Sequence, residues 1–179
     1  ALVLLVIAVM AIGAPLFASA DPNDTAVLER LKAPSAEHLL GTDELGRDMY
    51  SRIVHGARYS LAIAALTALG AVVAGTLLGL MAGFFRRLDT PLMRVVDAMM
   101  SFPDILLAIA LVAILGPSLI NTVLALVLVY TPRVARVVRA STLVVRELLF
   151  VEAVRALGVR TSRILWRHIL PNLMSPILV

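Results

Sequence analysis

The chain has 179 residues, of which 60% are hydrophobic and only 16% charged, with a net charge of +4 and a mean hydropathy of +0.96. Ordinary soluble domains carry more charge and less apolar content, so an ordinary soluble globular domain is excluded. Cysteine is absent, which removes a disulfide framework and thiolate chemistry.

The apolar content is concentrated in uncharged runs. Ala1–Ala20 holds no charge over 20 residues, and Tyr59–Phe85 none over 27. Each meets the roughly 20 residues needed to cross about 30 Å of hydrocarbon. The expected fold class is therefore an all-α integral membrane protein. The chain starts inside an apolar run without a methionine and stops at "SPILV", which reads as the start of another apolar helix. It reads as a fragment of a larger subunit.

Residues 1–20 form the first expected span, truncated at its start. "ASA" at 18–20 resembles a signal-peptide cleavage site, but the apolar run is longer than such a core and further spans follow. Residues 21–58 form a polar loop with five basic and seven acidic residues. In the second span, 59–85, Gly75, Gly79 and Gly83 recur every fourth residue, with Ala71 one step earlier. Such a row of small residues lies on one helix face and admits a close neighbour, although glycine and alanine are also common in membrane helices generally.

"FRRLDTP" at 85–91 breaks the pattern. A third helix is expected from Pro91 to Leu115, about 37 Å long. Pro103 would kink it, and Arg94 and Asp97 would pair at i,i+3. "GPS" at 116–118 is a tight turn. A fourth span begins at Leu119 and is interrupted by Pro132, after which Arg133, Arg136 and Arg139 stand at every third residue, followed by Arg146. A charged hairpin occupies about 147–171, and a fifth span begins after it.

Arginine counting orients these spans. Against the acidic 21–58 loop, the opposite side holds eleven arginines and five acids. The hairpin is thus expected in the cytoplasm and the 21–58 loop outside it. Membrane topology accounts for the pI of about 10.3 without any nucleic-acid partner.

The residues offer little for catalysis. "GTDELGRD" at 41–48 has the glycine spacing of a phosphate-binding loop. Arg47 and Asp48 stand where its lysine and hydroxyl belong, and Asp43 and Glu44 would repel phosphate. His38, His55 and His168 are scattered, and no metal-ligand spacing is present. The chain is not expected to be an enzyme or to hold a metal.

In the hairpin, 147–157 reads as a short helix with Phe150, Val151, Val154 and Leu157 on one apolar face. Glu152 and Arg155 would point to the opposite side, with Ala153 and Ala156 as a smooth flank. Gly158 is expected as a left-handed cap, and Thr161 as the cap of a second helix over 162–170. Pro171 would open the next span. A surface helix on anionic lipid and a knob docked into a protein groove both fit this pattern.

"FVEAVRALGVRTSRILWRHILPN" resembles the "EAA" loop of ATP-binding-cassette (ABC) importer permeases, E-A-A-x3-G-x9-I-x-L-P. Glu152, Ala153, Gly158, Leu170 and Pro171 match it; Val154 and His168 depart from it. "HLLGTDELGRDMYSRIVHGARYSL", "LMRVVDAMMSFPDILLAIALVAILGP" and "RELLFVEAVRALG" resemble the dipeptide and oligopeptide branch of that family. The resemblance covers nearly the whole chain. It implies a type I ABC importer transmembrane domain with about five of the usual six spans, multi-pass in the bacterial inner membrane. It implies a permease subunit forming a path for peptides beside a second, homologous permease. Two ATPase subunits would bind ATP and magnesium, and an extracytoplasmic solute-binding protein would deliver substrate; this chain itself would hold no cofactor. Phe150, Glu152, Ala153, Val154, Leu157 and Gly158 would form the ATPase-coupling element. The same architecture could carry nickel or another small solute, and a non-energised channel or scaffold is the reading from a different class. No residue stands out as lining the substrate path.

Overall fold

The computed structural model describes residues 2–14, 18 and 21–174. Part of the first expected span and residues 175–179 of the fifth lie outside the described residues. The described residues form helices joined by loops, with one isolated β-bridge between Thr42 and Asp48. Two compact units, Ala1–Ala65 and Leu66–Val179, divide the chain.

The first unit holds α1, Leu2–Ile12, a polar loop with a short 3-10 turn at Val27–Glu29, and the start of α2, Met49–Phe84. The polar loop expected to run to residue 58 ends earlier, because the helix begins at Met49. Asp48 is the reason: its carboxylate accepts the Ser51 N–H at 2.7 Å and caps the helix at that point. The "GTDELGRD" loop is held by its own acid. The Asp43 carboxylate accepts the N–H groups of Leu45 at 2.8 Å and Arg47 at 3.0 Å. These are the amides a phosphate would need, so the loop binds itself rather than a nucleotide. Gly41 and Gly46 both take positive φ, +75° and +76°, to make the reversal possible.

His38 is tied into the same loop. Its Nδ1 lies 3.0 Å from Asp48 and its Nε2 3.2 Å from Glu29. Both ring nitrogens face carboxylates, so the doubly protonated ring is the form that satisfies both. Hydrogen bonding to Asp48 first, then to Glu29, raises the His38 pKa above its ordinary value. Burial pushes the Asp48 carboxyl up, but the Ser51 N–H and the His38 ring outweigh it and leave that pKa lowered.

In the second unit, the later part of α2 packs along α5, Leu119–Val145. The glycine row faces that helix. A methyl group at Gly75 would stand 2.5 Å from Val134, one at Gly79 2.6 Å from the Ala135 carbonyl oxygen, and one at Gly83 2.6 Å from Thr142. These are backbone-to-helix approaches that only glycine allows.

The third helix departs from its expectation. It starts at Arg86 rather than Pro91, because Phe85 is extended and ends α2. It then breaks into α3, Arg86–Met100, and α4, Asp104–Leu115, which meet at 90°. Pro103 does not kink one helix; with Ser101 and Phe102 it separates two. Ser101 ends α3 by donating its hydroxyl to the Ala98 carbonyl at 2.6 Å, and Pro103, which has no N–H, stands before α4. Asp97 pairs with Arg136 of α5 at 2.6 Å rather than with Arg94. Gly116 ends α4 at φ +87°, and the Ser118 hydroxyl caps α5 by accepting the Asn121 N–H.

Among the described residues, α2 is long and apolar enough by itself to cross a membrane, and α3 with α4 meet that test jointly as a bent pair. One core cluster joins Leu80 of α2, Val138 of α5, Val151, Ile164, Ile169 and Leu173. A second joins Ala82, Met93, Val96 and Ala135, which seats α3 against α2 and α5.

Candidate functional site

The hairpin is built on the end of α5. Arg146 donates to the Gly83 carbonyl at 2.6 Å and pairs with Glu147 at 2.9 Å, which fixes the point where the hairpin leaves the helix. Its first arm, α6, is Leu149–Ala156. Glu152 lies in its first turn, where a negative charge suits the N-terminal end of the helix dipole.

The turn after α6 forms a complete Schellman motif. The Gly158 N–H donates to Arg155 O at 3.0 Å, and the Val159 N–H to Val154 O at 3.3 Å. Gly158 sits at φ +73°, and a methyl group there would meet nothing within 4 Å. Its requirement is therefore one of backbone conformation and not of space.

The return arm does not follow its expected form. Thr161 is the first helical residue, not the cap, and Arg160 precedes it without a side-chain cap bond. A short α-turn, Thr161–Arg163, passes into a π-helix, Ile164–Ile169, and then a 3-10 turn, Leu170–Leu173. The π-helix buries both Ile164 and Ile169. On an α-helix, residues five apart would lie ~140° apart; the i→i+5 turn brings them to one side. Pro171 stands in the first turn of the 3-10 segment.

The face of α6 is rotated from the one its apolar spacing suggested. Val151 is fully buried in the subunit's own core, and Val154 packs against the same cluster. Arg155, itself exposed, reaches over the Phe84 ring, with its guanidinium 5.3 Å from the ring centre. Leu149, Glu152, Ala153, Ala156 and Leu157 face out, with Phe150 on the edge; Leu149 is 83% and Leu157 81% exposed. The Glu152 carboxylate has no ion-pair partner among the described residues. Of the six residues expected to couple, Phe150, Glu152, Ala153, Leu157 and Gly158 lie on the exposed side or at the bend, and Val154 holds the arm down. Leu149 and Ala156 complete the outward face. Their i,i+4 and i,i+3 steps to Ala153 were the signal in the sequence, masked by the stronger valine pattern beside them.

This geometry contains no catalytic constellation among the described residues. It is a rigid, internally anchored knob presenting small and apolar side chains and one free carboxylate.

The family model described as "Binding-protein-dependent transport system inner membrane component" matches residues 75–179. A dipeptide transport system permease protein of Alkalihalophilus pseudofirmus is 47% identical over 171 residues, 95% of this chain and 56% of the relative. A glutathione transport system permease protein of Pectobacterium atrosepticum is 45% identical over 149 residues, 83% of this chain and 50% of the relative. A di/tripeptide transport system permease protein of Pseudomonas aeruginosa is 43% identical over 185 residues, 99% of this chain and 61% of the relative. The chain thus spans between half and about three-fifths of the length of these relatives.

Proposed function

The chain belongs to the family of binding-protein-dependent transport system inner membrane components, and from that membership we propose that it is part of the permease subunit of an ATP-driven peptide importer. Its substrates are short peptides, the class named for three of its relatives when glutathione is counted as a tripeptide. A second permease completes the path, an extracytoplasmic binding protein delivers the peptide, and two partner ATPases supply the energy. ATP and magnesium are bound by those ATPases.

One observation carries the mechanism: α6 is fixed to the subunit's own core by Val151 while its opposite face stands free. A subunit without a nucleotide site must receive energy as motion. The exposed Leu149, Ala153 and Leu157 provide apolar contact with a groove on the ATPase, the alanines allow close approach, and Glu152 meets a base across it. When the ATPases close on ATP or open after hydrolysis, α6 moves with them. Because Val151 and Val154 tie it to the core cluster with Val138 of α5 and Leu80 of α2, those helices must follow. Inward- and outward-facing states are then populated according to their differential affinity for the closed ATPase pair.

The test is co-purification of the subunit from its native host in mild detergent, wild type against Gly158→Asp, with ATPase subunits identified by mass spectrometry. An aspartate at φ +73° disrupts the Schellman turn and adds a charge at the C-terminal end of α6. The expected result is an ATPase with the wild type and its loss with the variant. Wild type without an ATPase would remove the motor and leave a lipid-surface hairpin.

A further inference from the structure

We infer that the arginine row of α5 is a positioning device that sets the 90° bend between α3 and α4 and makes it follow the hairpin. This rests on the importer reading for its coupling to ATP, but not for its hold on the bend.

The row reaches every neighbouring element. Arg133 pairs with Asp104, the first residue of α4. Arg136 pairs with Asp97 near the end of α3 at 2.6 Å. Arg139 holds Asp89 in the first turn of α3 through two hydrogen bonds, Nε to Oδ1 and Nη2 to Oδ2. Arg146 holds the carbonyl of Gly83 at the end of α2. The break at Ser101–Pro103 is therefore straddled: the acids on its two sides are held by arginines three residues apart on one helix.

Nothing local sets the bend as firmly. Ser101 ends α3, but Pro103 has no N–H to give and α4 has no side-chain cap. The bend angle is thus fixed from outside, by α5. The rungs also differ in kind. Arg139 and Asp89 are 30% and 24% exposed and make a two-point contact; Arg136 and Asp97 are 51% and 62% exposed and make a single one. Exposed single-contact pairs exchange readily, whereas two-point arginine–carboxylate pairs keep their geometry. The start of α3 accordingly travels with α5, while the two rungs that flank the break, Arg133–Asp104 and Arg136–Asp97, set its angle and re-form as α5 moves. Since α5 runs directly into Arg146 and the hairpin, a push on α6 reaches the bend through a continuous helix.

The chain has no cysteine, so labels can be placed cleanly. Val95 on α3 and Ile109 on α4 are exposed on this chain and flank the bend. Spin labels at Val95→Cys and Ile109→Cys report their separation by pulsed electron paramagnetic resonance in the purified subunit and in the assembled transporter. The expected result is a narrow distance distribution that broadens in Arg136→Asp or Asp97→Arg and narrows again when both are combined. In the assembled transporter the distance shifts between the nucleotide-free and vanadate-trapped states. Peptide uptake per ATP hydrolysed falls ~10-fold in the single reversals and recovers in the swap. A purely structural role would lower assembly, uptake and hydrolysis together. A distribution unchanged by the single reversals, or unrepaired by the swap, overturns the inference. If no ATPase accompanies the wild type, the importer reading and the coupling half fall together, while the isolated subunit still decides whether the row sets the bend.

Discussion

His38 shows how one side chain can organise a loop. It bridges Asp48, which caps α2, and Glu29 in the 3-10 turn. Its pKa is raised above 6.5 by Asp48 first and Glu29 second. A raised folded-state value means that the charged ring stabilises the fold. That contribution is complete below the ordinary value and disappears as pH climbs through the raised one. The imidazole signals of His38 are expected to titrate with a midpoint above 6.5, measured by NMR, and to move back toward it in Asp48→Asn. Asparagine keeps the cap but removes the charge, so α2 should remain intact. The cap was legible in principle, since Asp48 stands directly before an unbroken helical stretch. The charges at Arg52 and Arg58 mask it, because they give the first turns of α2 the composition of a loop. The bridge to His38, ten residues away, required the fold.

Glycine in α2 does opposite things at different places along one helix. At Gly56 a methyl group would meet nothing within 4 Å, so Gly56→Ala lowers the entropy cost of helix formation and should stabilise by about 0.5–1 kcal/mol. At Gly79 the same methyl would lie 2.6 Å from the Ala135 carbonyl oxygen, a backbone atom that cannot swing aside. Gly79→Ala should cost about 1–3 kcal/mol through overpacking. Thermal unfolding in detergent checks both: the melting temperature rises for the first and falls for the second. The i,i+4 spacing showed that Gly75, Gly79 and Gly83 share a face, but only the fold shows that α5 occupies it. The α3–α4 break was half legible. Pro103 marked the place, yet a kink and a right angle leave the same residue in the sequence, and the difference depends on acids held by arginines ~30–40 positions away along the chain, which no local pattern encodes.

At the scale of the molecule, charge placement and helix direction make one statement about the membrane. The first half of α5 is uncharged from Leu119 to Pro132, and its second half carries Arg133, Arg136 and Arg139. The excess of arginine leads us to propose that the 116–118 turn lies outside and the hairpin inside. Single cysteines at Pro117 and Arg160 test this in intact cells with a membrane-impermeant maleimide. Pro117→Cys is expected to label from outside, and Arg160→Cys only after permeabilisation. Labelling of both from outside would reverse the reading of the hairpin. The helical class and the family were legible in apolar runs and long motifs. The outward face of the hairpin is not legible, because the apolar spacing marks Val151 and Val154, which attach the hairpin to the core.

The π-helix of the return arm gives the hairpin a mechanical character. Its wide turn places Ile164 and Ile169 in one seat, and Leu173 follows them into the same cluster. Drawing that segment out into an α-helical pitch would set Ile164 and Ile169 ~140° apart. The segment therefore cannot lengthen under tension without unseating the apolar cluster. Its seating therefore ties the return arm to the same cluster that holds Val151 of α6.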